Sequence, residues 1–470
     1  MKSPSLFKSM AGLALLASSV MAMAGAVTAA GELAATPASA ATKLPSCPMS
    51  ALKKAKGTVN ITFWNSMVRA NATTLSSITN AFNSSQSKVH VTLVDQASYD
   101  DTWQKYEAGL TSGQLPDVVQ LEDQRTQEAV DTQSFLPVQS CMNATHYATS
   151  DFLARALAYW NVNHVQIAMP FAVSTPIVYY NENSFTKAGL NPADPPLTLP
   201  QLVSDAKALK TSGSGVGLVL DPWHLETWLA TANTLFVNQN NGRSGRATKA
   251  IFDGPNAKTI FTDLDAMVKS GDAVTNPSTG PDEYDNLLGI GNGKYGLTID
   301  SSADLGTISG LLGNYPNVKL GVGAFPILSS KIKGGIEPGG SGVYISNKVP
   351  AAEQAAAWTY IEFIDNTQSQ ATWAAGTGYI PIRKSSTTTS TIQHLWATSP
   401  DYKVAYTQLL GGVNDPATAG SVIGPYADVR TDILTAEENM FTTNTSPSAT
   451  LAAAQKAVDS TISQYNQRLG

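Results

Sequence analysis

Charge is scarce in this sequence. Charged residues make up 14% of its 470 positions, against about 25% in average soluble proteins. Ser, Thr, Asn and Gln supply the missing polarity. The formal net charge is -6 and basic residues form no cluster, which argues against nucleic acid or an anionic membrane as a partner. Histidine is rarer still: His90, His146, His164, His224 and His394 are scattered without metal-ligand spacing. The G-x-S-x-G, C-x-x-C and H-E-x-x-H patterns are all missing, so no recognisable nucleophile or zinc site is present. Gly289-Ile-Gly-Asn-Gly-Lys294 imitates a phosphate loop, but Tyr295 stands where a Ser or Thr would bind magnesium. It reads as a turn into a strand at Tyr295-Gly-Leu-Thr-Ile299. Glu122 and Asp123 are adjacent on an extended segment and point to opposite faces, a poor glycosidase pair. No enzyme activity, metal or cofactor is expected.

Cysteine is limited to Cys47 and Cys141, and long apolar runs to the N-terminus. Lys2 and Lys8 precede the apolar stretch from Ala11 to Met23, and small residues follow at Val27-Thr-Ala-Ala30. That is a secretory signal over residues 1–30. Residues 31–57 are rich in Ala, Thr, Pro and Ser and read as a tether with little to bury. The chain is expected to be exported, to the periplasm or the cell surface. There the two cysteines are free to pair and pin the tether to the body. Leu44-Pro45-Ser46 matches a lipoprotein site poorly, so a lipid anchor at Cys47 is the less favoured alternative.

What is present is an alternation of periods. Val59, Ile61 and Phe63 alternate with polar residues as in a strand, and Leu75, Ile78 and Phe82 recur at helical steps. Val89, Val91 and Leu93 alternate again. Trp103, Tyr106 and Leu110 form a helical stripe, and Pro116 to Leu121 closes with a buried-type strand. A second region of the same kind begins at Thr175-Pro-Ile-Val-Tyr-Tyr-Asn181. Strand and helix in turn define an α/β fold with open, mostly parallel sheet. In such sheets ligands lie outside the carboxyl ends of the strands. Those ends carry Trp64-Asn65-Ser66-Met67, Ser98-Tyr99 and Glu122-Asp123, a set suited to a polar organic molecule.

Phe63-Trp-Asn-Ser-Met67, Pro170-Phe171, Ser174-Thr-Pro-Ile-Val-Tyr-Tyr-Asn181, Lys187-Ala-Gly-Leu190, Gly339-Gly340, Thr377-Gly-Tyr-Ile-Pro-Ile382 and Asp428-Val-Arg430 together carry a family likeness. Over residues 58–470 the chain resembles the extracellular solute-binding family of ABC importers that includes maltose-binding proteins. Within that family it is most similar to the glycerol-3-phosphate-binding branch. The resemblance implies a two-lobed periplasmic-binding-protein-like fold of the maltose-binding type, with crossover hinge strands. The expected lobes are 58–173 plus 300–343 and 174–299 plus 344–470, with hinges near 172–175, 298–302 and 341–346.

The resemblance also implies a ligand set. It falls on Tyr99, Asp123, Ser174, Ser301, Gly340, Tyr379 and Arg430, with Asp123 in place of the branch's glutamate. A tryptophan pair maps to Trp223 and Trp228 with altered spacing, and Trp64 opens the first strand end. Arg430 offers a planar fork for two phosphate oxygens, and Asp123, an acceptor when ionised, suits the diol of glycerol. The implied function is delivery of glycerol 3-phosphate, or a glycerophosphodiester such as glycerophosphocholine, to ABC permease subunits by a monomer whose lobes close on the ligand. The alternatives are a neutral oligosaccharide binder of the same family and an exported glycoside-acting enzyme.

Overall fold

The computed structural model describes residues 44–278, 284–331 and 334–469. The expected signal at 1–30 and the tether as far as residue 43 lie outside the described residues. Residues 44–57 are not a tether. They carry helix α1 (Met49–Lys54), which buries Leu52 and packs on a later helix at 351–364. Cys47 and Cys141 form a disulfide just ahead of it. The hexapeptide Met49-Ser-Ala-Leu-Lys-Lys54 is too short to show a period, so tertiary contact rather than pattern fixes this helix.

The first sheet begins with β1 (Val59–Asn65), β2 (Val89–Asp95) and β3 (Val118–Glu122). β1 pairs in parallel with both β2 and β3. Helix α2 (Tyr99–Ser112) lies between β2 and β3; the Ser98 hydroxyl accepts from the Asp101 N–H at 3.0 Å and opens it. Gly113 closes it in the left-handed region. The short β4 (Phe135–Leu136) and the hairpin of β5 (Asn161–Val162) and β6 (Val165–Gln166) follow. β7 (Met169–Ser174) is buried throughout.

One residue, Thr175, separates β7 from β8 (Pro176–Asn181), where the chain leaves the first sheet for the second. Pro176 sits at the first strand position, where a missing N–H is tolerated. All six residues of β8 are buried, because both its faces are covered: Ile177 and Tyr179 pack in one core and Val178 and Tyr180 in the other. The second sheet adds β9 (Val216–Leu220), β10 (Ala273–Pro277), β11 (Leu297–Ser301) and β12 (Leu320–Ala324), in the order β10-β9-β11-β8-β12. Helix α3 (Pro222–Thr231) leaves the end of β9, capped by the Asp221 carboxylate on the Trp223 N–H at 2.9 Å. The chain then returns to the first sheet as β13 (Gly339–Ser346), antiparallel to β3, β4 and β7.

Each sheet has its own core. The first gathers Phe63, Tyr106, Phe171 and Tyr344 with helix α4 (Ala351–Ile364). The second gathers Val178, Leu218, Trp228 and Phe261 with α5 (Tyr426–Thr443) and α6 (Pro447–Leu469). Val429, Ile433, Ala436 and Met440 form the buried stripe of α5 at three- and four-residue steps.

These assignments move the expected lobe boundaries. Residues 300–343 do not belong together: Ala303, Leu305 and Ile308 pack in the first core, β12 zips onto β8, and β13 joins the first sheet. Residues 344–470 also divide, α4 to the first core and α5 and α6 to the second. The crossings at 174–176 and 301–302 fall where expected. The crossing expected at 341–346, which is strand interior, lies instead in 325–338, between β12 and β13. The chain also passes from the first core to the second sheet between Ile308 and β12, and from the first core to the second between α4 and α5. The Gly289 to Asn292 part of the false phosphate loop is helical, the end of Asp285–Asn292.

The disulfide closes a long loop, with a sequence separation of 94. Cross-links over such loops contribute typically about 2–4 kcal/mol. The double variant Cys47→Ser/Cys141→Ser should lose about that much unfolding free energy by urea titration. An unchanged midpoint would show that the bridge contributes nothing to the body's stability.

Candidate functional site

The site grows from the crossing of β3 and β13. Asp123 opens a short 3-10 turn just after β3 and is 3% exposed. Its Oδ2 accepts the Gly340 N–H at 2.8 Å, and its Oδ1 lies 3.4 Å from the Tyr159 hydroxyl. Gly340 has φ +114°, and a Cβ there would stand 1.9 Å from the Ala172 carbonyl oxygen. Only glycine allows β13 to run this close to β7. Next to it, a Cβ on Gly339 would strike the Trp223 ring at 2.6 Å. Gly339 also pairs with Ser174, the buried last residue of β7.

On the other side of the strands two tyrosines meet. The Tyr99 hydroxyl, at the start of α2, donates to Ser341 Oγ at 3.4 Å and faces the Tyr379 hydroxyl. Gln120 holds the same Ser341 oxygen at 2.6 Å. Tyr379 stacks on Trp373 with centroids 5.3 Å apart, and the neighbouring Ile380 N–H is tied to the Val173 carbonyl at 2.8 Å. Burial pushes both phenols above their ordinary range, so both remain hydroxyl donors. Ser301 ends β11; its Oγ accepts the Ala303 N–H at 3.1 Å, leaving its own proton to donate.

Arg430 comes from α5, in the second core's lobe, and its side chain is 12% exposed. Its Nε and Nη2 donate to the two oxygens of Glu226 at 3.1 and 2.7 Å. Its Nη1 reaches Asp123 Oδ1 at 3.4 Å, across to the first lobe. Tyr426, one turn earlier, lies under the guanidinium with its ring centroid 4.8 Å from Cζ. Glu337, on the crossing between β12 and β13, is buried beside them, and its Oε1 has no hydrogen-bond partner among the described residues. Burial raises the carboxyls of Asp123, Glu226 and Glu337, and the Arg430 charge draws them back down. Burial also works against the guanidinium charge, but the pull of Glu226 and Asp123 outweighs it and keeps Arg430 protonated.

The structure therefore joins Tyr99, Asp123, Ser174, Gly340, Tyr379 and Arg430 in one set of contacts, with Ser301 at the neighbouring crossing. Trp223 lies against Gly339 of β13, and its buried indole N–H has no protein partner among the described residues. Two expected residues stand apart. Trp228 gives its indole N–H to the Pro326 carbonyl at 2.8 Å and packs on Phe325 in the second core. It is a core residue because both its face and its donor are already engaged. Trp64 is covered by Lys105, whose Nζ stands 4.2 Å from its ring, outside the Asp123–Arg430 contacts.

The Arg430 fork, read from the sequence as open to two phosphate oxygens, instead sits among three carboxyl groups. Glu226, Glu337, Tyr159 and Tyr426 were not anticipated. Glu226 carried a signal, being the one carboxylate in the otherwise uncharged, wholly buried helix Pro222-Trp-His-Leu-Glu-Thr-Trp-Leu-Ala-Thr231. A buried carboxylate demands a cation.

The fold and this inter-lobe site define the class of protein, and the sequence comparisons agree. Residues 77–402 match the model of the bacterial extracellular solute-binding proteins, and the chain belongs to that family. A curated relative, the sn-glycerol-3-phosphate-binding periplasmic protein UgpB of Yersinia pestis bv. Antiqua (strain Antiqua), is 25% identical over 88% of this chain and 94% of its own length. The UgpB of Escherichia coli O1:K1 / APEC is 24% identical over 89% and 94%. Among solved structures, UgpB of Mycobacterium tuberculosis with glycerophosphocholine aligns at a TM-score of 0.72 and 20% identity, covering 87% of this chain and 99% of that one. The GacH receptor of Streptomyces glaucescens GLA.O, solved unliganded and with acarbose, aligns at 0.72 and 18% identity over 87% and 99%. The fold is that of the two-lobed, maltose-binding type.

Glu437, on α5 close to Asp221 and Glu226, makes the buried acid testable. Burial first, then these carboxylates, push it up to about 8. The folded protein thus holds a proton that the unfolded chain releases near 4.5, so stability falls as pH rises between those values. Unfolding free energy should drop from pH 5 to pH 8, and Glu437→Gln should remove on the order of 3 kcal/mol of that slope. A slope equal in both proteins would refute the assignment.

Proposed function

We propose that this chain captures glycerol 3-phosphate or a glycerophosphodiester such as glycerophosphocholine between its lobes and delivers it, as an exported non-catalytic monomer, to ABC importer permease subunits. The observation that carries the reading is convergence. Tyr99 touches β13 at Ser341, and Arg430 is linked to it through Asp123, which holds the Gly340 N–H; these are residues the family likeness marks for this ligand. Tyr99, Tyr379, Ser174 and Ser301 are neutral donors for phosphoryl oxygens, Arg430 supplies the positive charge, and the Asp123 carboxylate accepts from hydroxyls. The Trp223 face suits a three-carbon stem or a choline cation.

The relatives named for sn-glycerol-3-phosphate support the same ligand class. Among the described residues no helix is long and apolar enough to cross a membrane. The Cys47 sulfur is engaged with Cys141, which leaves no thiol there for a thioether lipid and supports an unanchored product. The engagement of Arg430 by Glu226 favours a second reading, a neutral oligosaccharide held by carboxylates and an aromatic face.

Titration calorimetry with glycerol 3-phosphate, glycerophosphocholine and maltose separates the two. A glycerophosphoryl compound should bind and maltose should not. Arg430→Ala should weaken that binding about 30-fold or more, since truncating a buried charge partner costs about 2–5 kcal/mol. Binding of maltose alone would overturn the reading in favour of the sugar carrier, and turnover of any of the three would make the protein an enzyme.

A further inference from the structure

Glu226 sits where a ligand phosphate would otherwise find the Arg430 fork. Its two oxygens take Nε and Nη2 at 3.1 and 2.7 Å, and its side chain is fully buried. Bidentate pairing of this kind fixes the guanidinium plane and uses the edge that recognises two anionic oxygens. The opposite nitrogen, Nη1, already leans on Asp123 at 3.4 Å. Glu337 adds a third carboxyl group to the same buried volume. Arg430 is therefore the cation in contact with Glu226 and Asp123, with a single guanidinium edge left for the ligand, while Glu337 lies also in the field of Arg243, whose N–H groups go to backbone carbonyls.

We infer that Glu226 is a positioning residue that sets the charge the cleft accepts: by occupying the Arg430 fork it admits a singly charged phosphodiester and disfavours a doubly charged phosphomonoester. This rests on the glycerophosphoryl reading above and narrows it. A monoester carries about two negative charges at neutral pH, its second ionisation lying near 6. Its extra charge would lie beside the Glu226 and Asp123 carboxyls, with the Arg430 fork already taken and the Arg243 N–H groups given to backbone carbonyls. A diester keeps one charge, and a choline-type head group would place its cation among the same acids.

The experiment is calorimetry at pH 7.5 on the full mature chain and its Glu226→Gln and Glu226→Asp variants, with glycerol 3-phosphate and glycerophosphocholine as probes and thermal melts as the check of folding. The wild type should bind the diester more tightly. Glu226→Gln frees the fork and should move the affinity ratio at least 10-fold toward glycerol 3-phosphate. Glu226→Asp, which keeps the charge but draws back by one methylene, should give a smaller shift in the same direction; it decides the matter if the glutamine variant does not fold. A general loss of packing would weaken both ligands and leave their ratio unmoved. An unchanged ratio in a folded variant, or a wild type that prefers the monoester, overturns the role of Glu226 while the glycerophosphoryl reading stands. Binding of neither compound by any of the three proteins overturns both.

Discussion

The arrangement turns on one guanidinium. Arg430 is anchored by Glu226 within its own lobe and touches Asp123 in the other. A buried ion pair of this kind is weak evidence for stability, because desolvation offsets much of the attraction, but losing one partner strands the other. Its consequence is geometric. Asp123 is itself fixed by the Gly340 N–H, so the two lobes meet at a point defined by backbone on one side and by a bidentate pair on the other.

That point is also where the chain crosses between sheets. Ser174 and Ser301 stand at the ends of β7 and β11, within a residue of the crossings, and Gly339 and Gly340 open β13 just after the passage from β12. Hinge closure in two-lobed binding proteins is absorbed by a few residues at element ends. Here the residues at those element ends are also the hydrogen-bonding candidates of the proposed site.

Much of this was legible in the sequence. The alternation of Val59, Ile61 and Phe63 marks β1 because one face of that strand is buried, and Tyr179 and Tyr180 read as β8 because both faces are. The order of the motifs placed Asp123, Gly340, Tyr379 and Arg430 together. What stayed hidden depended on distant pairing. Leu320-Gly-Val-Gly-Ala324 has too little side chain to announce a strand, and only β8 makes it one. The helix Met49–Lys54 forms against α4 rather than from its own pattern. Trp228 and Trp223 look alike in sequence, but only the Pro326 carbonyl tells that one of them is spent in the core. Glu226 was visible as a lone acid in a buried helix, yet its partner lies 204 residues away.

The most direct test is a crystal structure of the protein with glycerophosphocholine. The account predicts phosphoryl oxygen density within hydrogen-bond reach of Arg430 Nη1 and the Tyr379 hydroxyl, with the Arg430–Glu226 pair intact. Ligand density away from β13, or Arg430 turned to bulk solvent with Glu226 unpaired, would contradict it.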